Sequence, residues 1–323
     1  MKIAVVGCGA IGSFYGARLC QGGHETHFLL RSDYDAVRRH GVRIKSVDGD
    51  FEARPHCAKA PEQIGVADLV LIGLKTTAND QLRKLMSPLV GPQTRIVTLQ
   101  NGLGNEEKLA EVFGPANILC GLCFVCLNRV SSGVIHHTAH GLVVLGEFGR
   151  VAGERTHRLV ENFKAAGIPC RLTDDMASAH WEKLVWNIPF NGLGVAAAAG
   201  YEALVPGAPL SDRRPNTKRA ALPTDVLLAD ARWTGLVREL MVEVITTARA
   251  QGHPLDLRLA DENIERTRVM GSYRASTLLD FEKGLPLELE SLFKEPLRRA
   301  QSGGISMPRL KQMCAVLEWL TAG

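Results

Sequence analysis

The opening stretch, MKIAVVGCGAIGSFYGARLC, limits the fold more than any other part of the chain. A short apolar run enters Gly7-Cys8-Gly9-Ala10-Ile11-Gly12, and an apolar-periodic helix follows at once. A bare Gly-x-Gly-x-x-Gly recurs by chance, but between a strand and a helix it has a mechanical meaning. Gly7 permits the tight turn, Gly9 lets the backbone approach a pyrophosphate, and Gly12 allows close helix–strand packing. The helix then offers unpaired N–H groups and its positive dipole end to the phosphates. The expected ligand of Gly7, Cys8, Gly9, Ala10, Ile11 and Gly12 is therefore a dinucleotide.

The first half continues in the same style. Apolar runs at Met1–Val6, Glu25–Leu30, Leu69–Leu74, Arg95–Leu99 and Ile118–Cys126 read as strands, with a helix over Ile11–Gln21. Strands separated by helical stretches imply βαβ units and a largely parallel sheet. Gly133–Gly146 reads as a late hairpin closing that domain. From about residue 174 strand signals become scarce. Helical periodicity covers Met176–Leu193, Arg232–Gln251, Asp261–Arg274 and Leu287–Gln301, with a last helix after Pro308. The expected architecture is α/β: a Rossmann-type dinucleotide-binding domain over 1–173, followed by a mainly α-helical domain over 174–323. Between the helical stretches, the aperiodic, proline-rich and basic segment 205–223 reads as an exposed loop or, alternatively, a cap over a ligand site.

Composition narrows the partner. The 323 residues carry a net charge of only +4, which offers no field of the kind nucleic acid requires. No apolar run approaches the roughly 18 residues of a spanning helix, and no secretory signal precedes the first strand. A small-molecule ligand and a cytoplasmic address are expected, with no nucleic-acid or membrane partner. A homodimer is one admissible assembly. Cys120, Cys123 and Cys126 sit at metal-like spacing, but in a strand that spacing sends side chains to opposite faces, so reduced buried thiols are expected. His136, His137 and His140 are placed at a turn between strands with no nearby carboxylate, and no metal is expected there either.

Cofactor choice is read at the end of the second strand. NAD-specific folds usually place Asp or Glu there to bind the ribose hydroxyls; this chain has Arg31, then Ser32. A guanidinium pairs with a 2′-phosphate, which favours NADPH. If Arg31 merely caps the strand in solvent, the choice stays open. Lys75 and Asn101 end two other apolar strands, where a doubly wound sheet presents its ligands. In HWEKLVWNIPFNGLG, Lys183, Asn187 and Asn191 fall on one helical face at i, i+4 and i+8. Such a stripe is either solvated or meets a ligand, because polar groups on a packed face are costly alone. Pro189 should kink or open that helix.

These motifs, in this order, resemble the ketopantoate reductase (2-dehydropantoate 2-reductase) family: GCGAIG, Lys75, LQNG around Asn101, WEKLVWNIPFN, and Ser276 followed by Glu288. The similarity covers nearly the whole chain. It implies reduction of a keto acid, with Lys183 as the general acid and Glu288 orienting it. Asn187, Asn191 and Ser276 would hold the substrate's hydroxyl and carboxylate, and Lys75 and Asn101 would lie between nicotinamide and substrate. The chain departs from the family in having Tyr273 where an asparagine is frequent, and Phe293-Lys294 where Asn-Gly is frequent after the acidic pair Glu288 and Glu290. A paralogue acting on another keto acid is thus a second reading, and a non-catalytic NADPH-binding sensor a third; the retained Lys183 and Glu288 speak against the last.

Overall fold

A computed structural model describes residues 1–211 and 221–322. The chain divides into two compact units, Met1–Met176 and Ala177–Gly323. In the first, ten strands form one sheet: β1 (Lys2–Val6), β2 (Glu25–Leu29), β3 (Val42–Ser46), β4 (Phe51–Ala53), β5 (His56–Ala58), β6 (Leu69–Ile72), β7 (Arg95–Thr98), β8 (Ile118–Ser131), β9 (Val134–Glu147) and β10 (Cys170–Leu172). Their order is β4-β3-β9-β8-β7-β6-β1-β2-β5, with β10 added to β9. All pairings are parallel except β3 with β4 and β8 with β9. Helices α1 (Ala10–Gln21), α2 (Tyr34–His40), α3 (Leu82–Met86), α4 (Asn105–Phe113) and α5 (Glu154–Ala165) complete this unit.

The apolar runs are continuous because the sheet is covered on both faces. Ile3, Val5, Leu69, Leu71 and Val97 pack with Phe14, Tyr15 and Phe163 of α1 and α5 in one core. The alternate residues Ala4, Val6, Val70, Ile72 and Ile96 pack with Leu82, Met86 and Leu109 of α3 and α4 in another. The strand order reverses at β1, with β2 on one side and β6 on the other. That reversal is where doubly wound sheets bind ligands.

The second unit is helical: α6 (Met176–Ala196), α7 (Thr224–Ala229), α8 (Ala231–Ala250), α9 (Arg258–Arg268), α10 (Ser276–Glu282), α11 (Glu295–Ser302) and α12 (Pro308–Thr321). Carboxylates order two of the helix starts. Asp230 accepts from the N–H groups of Arg232 and Trp233 at 2.7 and 3.3 Å, capping α8. Glu243 accepts from those of Arg309 and Leu310 at 2.8 and 3.0 Å, ordering the first turn of α12.

Several sequence expectations need correction. The late hairpin is not contained in Gly133–Gly146: β9 is one long strand, paired antiparallel with all of β8. His136, His137 and His140 therefore lie within β9, not at a turn. The ladder is irregular at Phe124/Val125 and Cys126/Leu127, and His140 is a non-glycine residue with φ of 66°. Such bulges hide a strand from period-2 reading. His137 is spoken for locally, its Nδ1 2.9 Å from the Ser46 hydroxyl and its Nε2 2.9 Å from the His140 carbonyl oxygen. The helix expected over Asp261–Arg274 starts and stops earlier, at Arg258–Arg268. That expected over Leu287–Gln301 opens instead as a π-helical turn, Glu290–Lys294. Cys120, Cys123 and Cys126 are buried in β8. Of the segment 205–223, residues 212–220 lie outside the described residues; the part before them is bound to α12, where Gln312 donates to the carbonyls of Ala203 and Ala208 at 2.7 and 3.1 Å.

One ion pair ties the chain after β2 to the β8–β9 hairpin. Asp33, only 6% exposed, accepts from Nε of Arg129 at 2.9 Å and from its Nη2, and also from the Gly133 N–H at 3.3 Å. Burial alone would raise this carboxyl, but the Arg129 hydrogen bonds and charge outweigh it and hold it below the ordinary 3.8. A depressed carboxyl stabilises the fold above its unfolded value and loses that contribution as pH falls through its folded one. Arg129→Ala should cost about 1–3 kcal/mol near neutral pH by leaving a buried carboxylate under-satisfied. Denaturant titrations across pH should show the difference from wild type shrinking as pH drops below 3.8; a pH-independent difference would assign the loss to packing.

Candidate functional site

In the first unit, the candidate residues gather at the carboxyl ends of β1, β2, β6 and β7. Gly7 has φ of +92°, a left-handed conformation that favours glycine, and a Cβ there would collide with the Gly73–Leu74 backbone of the loop after β6. A Cβ on Gly12 would strike the Gly7 carbonyl, and one on Gly73 would stand 2.8 Å from the Gly12 Cα. Gly9 differs. Its φ of −75° suits any residue, and a Cβ would meet nothing within 4 Å. Protein packing does not ask for glycine here; open space for a close-lying group does. Gly9 is the N-cap of α1, with no side-chain cap and no acidic residue in the first turn. Uncapped N–H groups beside an open cradle fit a phosphate.

Cys8 and Ser13 support this loop. The Ser13 hydroxyl donates to the Cys8 carbonyl at 3.0 Å. The Cys8 thiol faces the Val5 carbonyl at 3.5 Å, and burial, then Cys57 and Asp33, push it well above the ordinary thiol range. It is an inert packing group, not a nucleophile.

Arg31 follows β2 and is exposed, with no side-chain partner among the described residues. Asp33, the nearby carboxylate able to neutralise it, is engaged by Arg129 instead. The end of β2 therefore presents a guanidinium that no carboxylate among the described residues neutralises.

Lys75 and Asn101 are set by a side-chain chain that sequence reading missed. Thr98 donates to Gln100 Oε1 at 3.1 Å, and Gln100 Nε2 donates to Asn79 Oδ1 at 2.7 Å. Asn79 Nδ2 donates to Asn105 Oδ1 at 3.0 Å, and Asn105 Nδ2 to the Asn101 carbonyl at 3.1 Å. Thr98, Gln100 and Asn105 are buried. Asn79 belongs to the 3₁₀ turn Thr76–Gln81 that follows Lys75, so the network joins the loops after β6 and β7. Its only trace in the sequence is the density of amides in TLQNGLGN. Gly102 and Gly104, with φ of 89° and 83°, let the second loop turn back into α4.

In the second unit, α6 aligns Lys183, Asn187 and Asn191 along one face. Lys183 is half-buried, Asn187 is 8% exposed and Asn191 3%. Asn191 Oδ1 accepts from the Ser276 hydroxyl at 3.2 Å and from the Thr277 N–H at 3.1 Å. It therefore caps α10 and draws Ser276 onto the stripe, leaving its amide N–H groups uncommitted among the described residues. The Asn187 amide has no partner among them at all. That amide is not sealed from solvent, so it is open to a polar ligand. Glu288 is half-buried and immediately precedes the short helical lead into the π-turn Glu290–Lys294. Glu290 is committed elsewhere, 2.9 Å from Lys294 and 3.0 Å from Arg298. Among the described residues, no group of three His, Cys, Asp or Glu could hold a metal ion, and no helix is long and apolar enough to cross a membrane.

The arrangement has close counterparts. Residues 3–150 match the family described as ketopantoate reductase PanE/ApbA, and residues 217–320 match its C-terminal domain. A 2-dehydropantoate 2-reductase of Nostoc sp. is 36% identical, the alignment covering 99% of this chain and 95% of the relative. The crystal structure of 2-dehydropantoate 2-reductase from Geobacter metallireducens superposes with a TM-score of 0.89 at 42% identity, covering 99% of each chain. That from Methylococcus capsulatus gives 0.85 at 32%, covering 100% of this chain and 97% of the other. Matched in both halves and along its length, the chain belongs to the ketopantoate reductase family, a family of oxidoreductases.

Proposed function

We propose that the chain reduces 2-dehydropantoate to D-pantoate with NADPH, a step toward pantothenate and coenzyme A, and that Lys183 is the general acid. The observation that carries this reading is the α6 stripe: a half-buried ammonium in line with an Asn187 amide that has no protein partner among the described residues and an Asn191 that holds Ser276. The family membership and the full-length similarity to 2-dehydropantoate 2-reductases support the substrate. Residues 1–173 would hold the dinucleotide and 174–323 the acid. A net charge of +4 fits a small-molecule enzyme of the cytoplasm better than a nucleic-acid binder.

The residues divide the work as follows. Gly7–Gly12 bind the pyrophosphate at the uncapped start of α1, and Arg31 pairs with the 2′-phosphate. When bound, the dinucleotide supplies a hydride for the keto carbon. Negative charge then grows on the carbonyl oxygen, and Lys183 first stabilises it and then delivers its proton there. Glu288 orients the ammonium. Asn187, Asn191 and Ser276 bind the substrate's hydroxyl and carboxylate, and Lys75 and Asn101 complete the surroundings of the reacting carbon.

Tyr273 favours a second reading. It stands three residues before Ser276, its ring centroid 5.9 Å from that of Trp186 on α6, and presents an aromatic group where the family often has an asparagine. A reductase of the same architecture acting on another 2-keto or 3-keto acid would make use of that surface.

Three sets of variants test these assignments. Lys183→Ala should lower kcat by roughly 100- to 10,000-fold with dinucleotide affinity nearly unchanged; wild-type turnover would remove the mechanism. A keto-acid panel run on the wild type separates the two substrate readings, since negligible kcat/KM for 2-dehydropantoate leaves only the second. Arg31→Ala should weaken NADPH binding by about tenfold or more while barely affecting NADH; equal losses would show that Arg31 does not read the phosphate. Gly9→Ala should leave thermal stability within about 0.5 kcal/mol yet weaken the dinucleotide, whereas Gly7→Ala should lower stability itself. Unchanged affinity in Gly9→Ala would mean that its open cradle is not a ligand site.

A further inference from the structure

At the end of the strands opposite the glycine loop, three guanidinium groups line one recess. Arg95 begins β7, while Arg150 and Arg155 follow β9, whose carboxyl end lies beside the amino end of β8. With Glu147, Val151, Gly153 and Glu154 they line a cavity of about 350 Å³. That volume suits a small organic ligand. The nearby carboxylates do not balance the charge. Glu147 is spent, one oxygen on the Thr156 hydroxyl and the other on Arg150 at 2.9 and 2.6 Å. Glu154 pairs with Arg158 at 3.4 Å.

Each arginine keeps donors in reserve. Arg95 gives Nη1 to the Ala116 carbonyl at 2.6 Å, and its Nε is buried without a partner. Arg150 uses Nε and Nη2, while Arg155 uses Nη1 and Nη2 on Gln93 at 3.0 and 2.7 Å. Arg95 Nη2, Arg150 Nη1 and Arg155 Nε thus remain uncommitted among the described residues. Burial and then the charge of Arg155 lower the affinity of Arg95 for its proton, Glu147 opposes them, and Arg150 adds to the lowering, so Arg95 is repelled by both neighbouring guanidiniums. The 12-residue helix α5 starts here from Gly153, which provides no side-chain cap and has no atom near its Cβ position.

We propose that this recess is a second anion site, at the end of the strands opposite the glycine loop, that binds the phosphate group of a small phosphorylated molecule. Donors left over on three guanidiniums suit the three terminal oxygens of a phosphomonoester better than the two of a carboxylate. A charge approaching −2 relieves the repulsion on Arg95, whereas the start of α5 already carries Glu154 and adds little. Val151, largely exposed at the rim, offers an apolar contact for the rest of the molecule.

Calorimetric titration of the full chain with inorganic phosphate and with ribose 5-phosphate, at constant ionic strength, tests the site. Arg155→Gln should weaken binding by about tenfold or more, with Arg155→Lys retaining part of it, because among the described residues the exposed Arg155 side chain hydrogen-bonds to Gln93 alone and its loss spares the fold. Arg31→Ala, which alters the dinucleotide side, should leave this binding unchanged. Tighter binding of ribose 5-phosphate identifies an organic phosphate as the ligand; equal affinity identifies free phosphate. In the wild-type chain, arginine Nε–H resonances that shift with phosphate should include the one absent from Arg155→Gln. Binding no stronger than that of chloride, or binding lost in Arg31→Ala but kept in Arg155→Gln, would overturn the proposal.

Discussion

The contact on which the first unit depends is the meeting of three backbones where α1 leaves β1 and crosses the end of β6. Gly7, Gly12 and Gly73 lie so close that none has room for a methyl group. A side chain at any of them would lift the start of α1 off the sheet and move its N–H groups away from the strand reversal. Gly16 continues the contact one turn on, where a Cβ would stand 2.6 Å from the Phe28 ring of β2. Packing fixes the direction of the helix, and that direction makes its N-terminus useful.

Charge on that side is arranged with similar economy. Arg31 and Asp33 are two residues apart, and an ion pair between them would leave little to recognise a ligand. Arg129 reaches across from β8 and takes the carboxylate. A structural salt bridge thereby keeps a second guanidinium uncommitted, which is a use for a partly buried ion pair beyond its modest net stability. The α6 stripe follows a related rule: Asn191 spends its oxygen on the start of α10 and retains its N–H donors.

Much of this was legible in the residues because it is local. The glycine spacing, the continuous apolar strands and the i, i+4, i+8 polar stripe are encoded within single elements, and β1, α1, β6 and α6 lie close to where periodicity put them. What escaped was relational. β3, β4, β5 and β10 are short and owe their strand character to neighbours far along the chain. β8 and β9 lost their alternation at bulges, so histidines inside a ladder looked like a turn. The Gln100–Asn79–Asn105 relay links three segments, and no one of them announces it. Likewise, that Ser276 meets Asn191 follows from helix packing, although each residue was already conspicuous alone.

The lengths of those late-recognised strands carry a consequence of their own. β4 and β5 end the ten-stranded sheet, and β10 hangs beside the carboxyl-terminal half of β9. Each of these outermost strands is three residues long. A stub of that size exposes too few main-chain donors and acceptors to template a foreign strand, so the margins discourage accretion of further chains and fibril-like stacking.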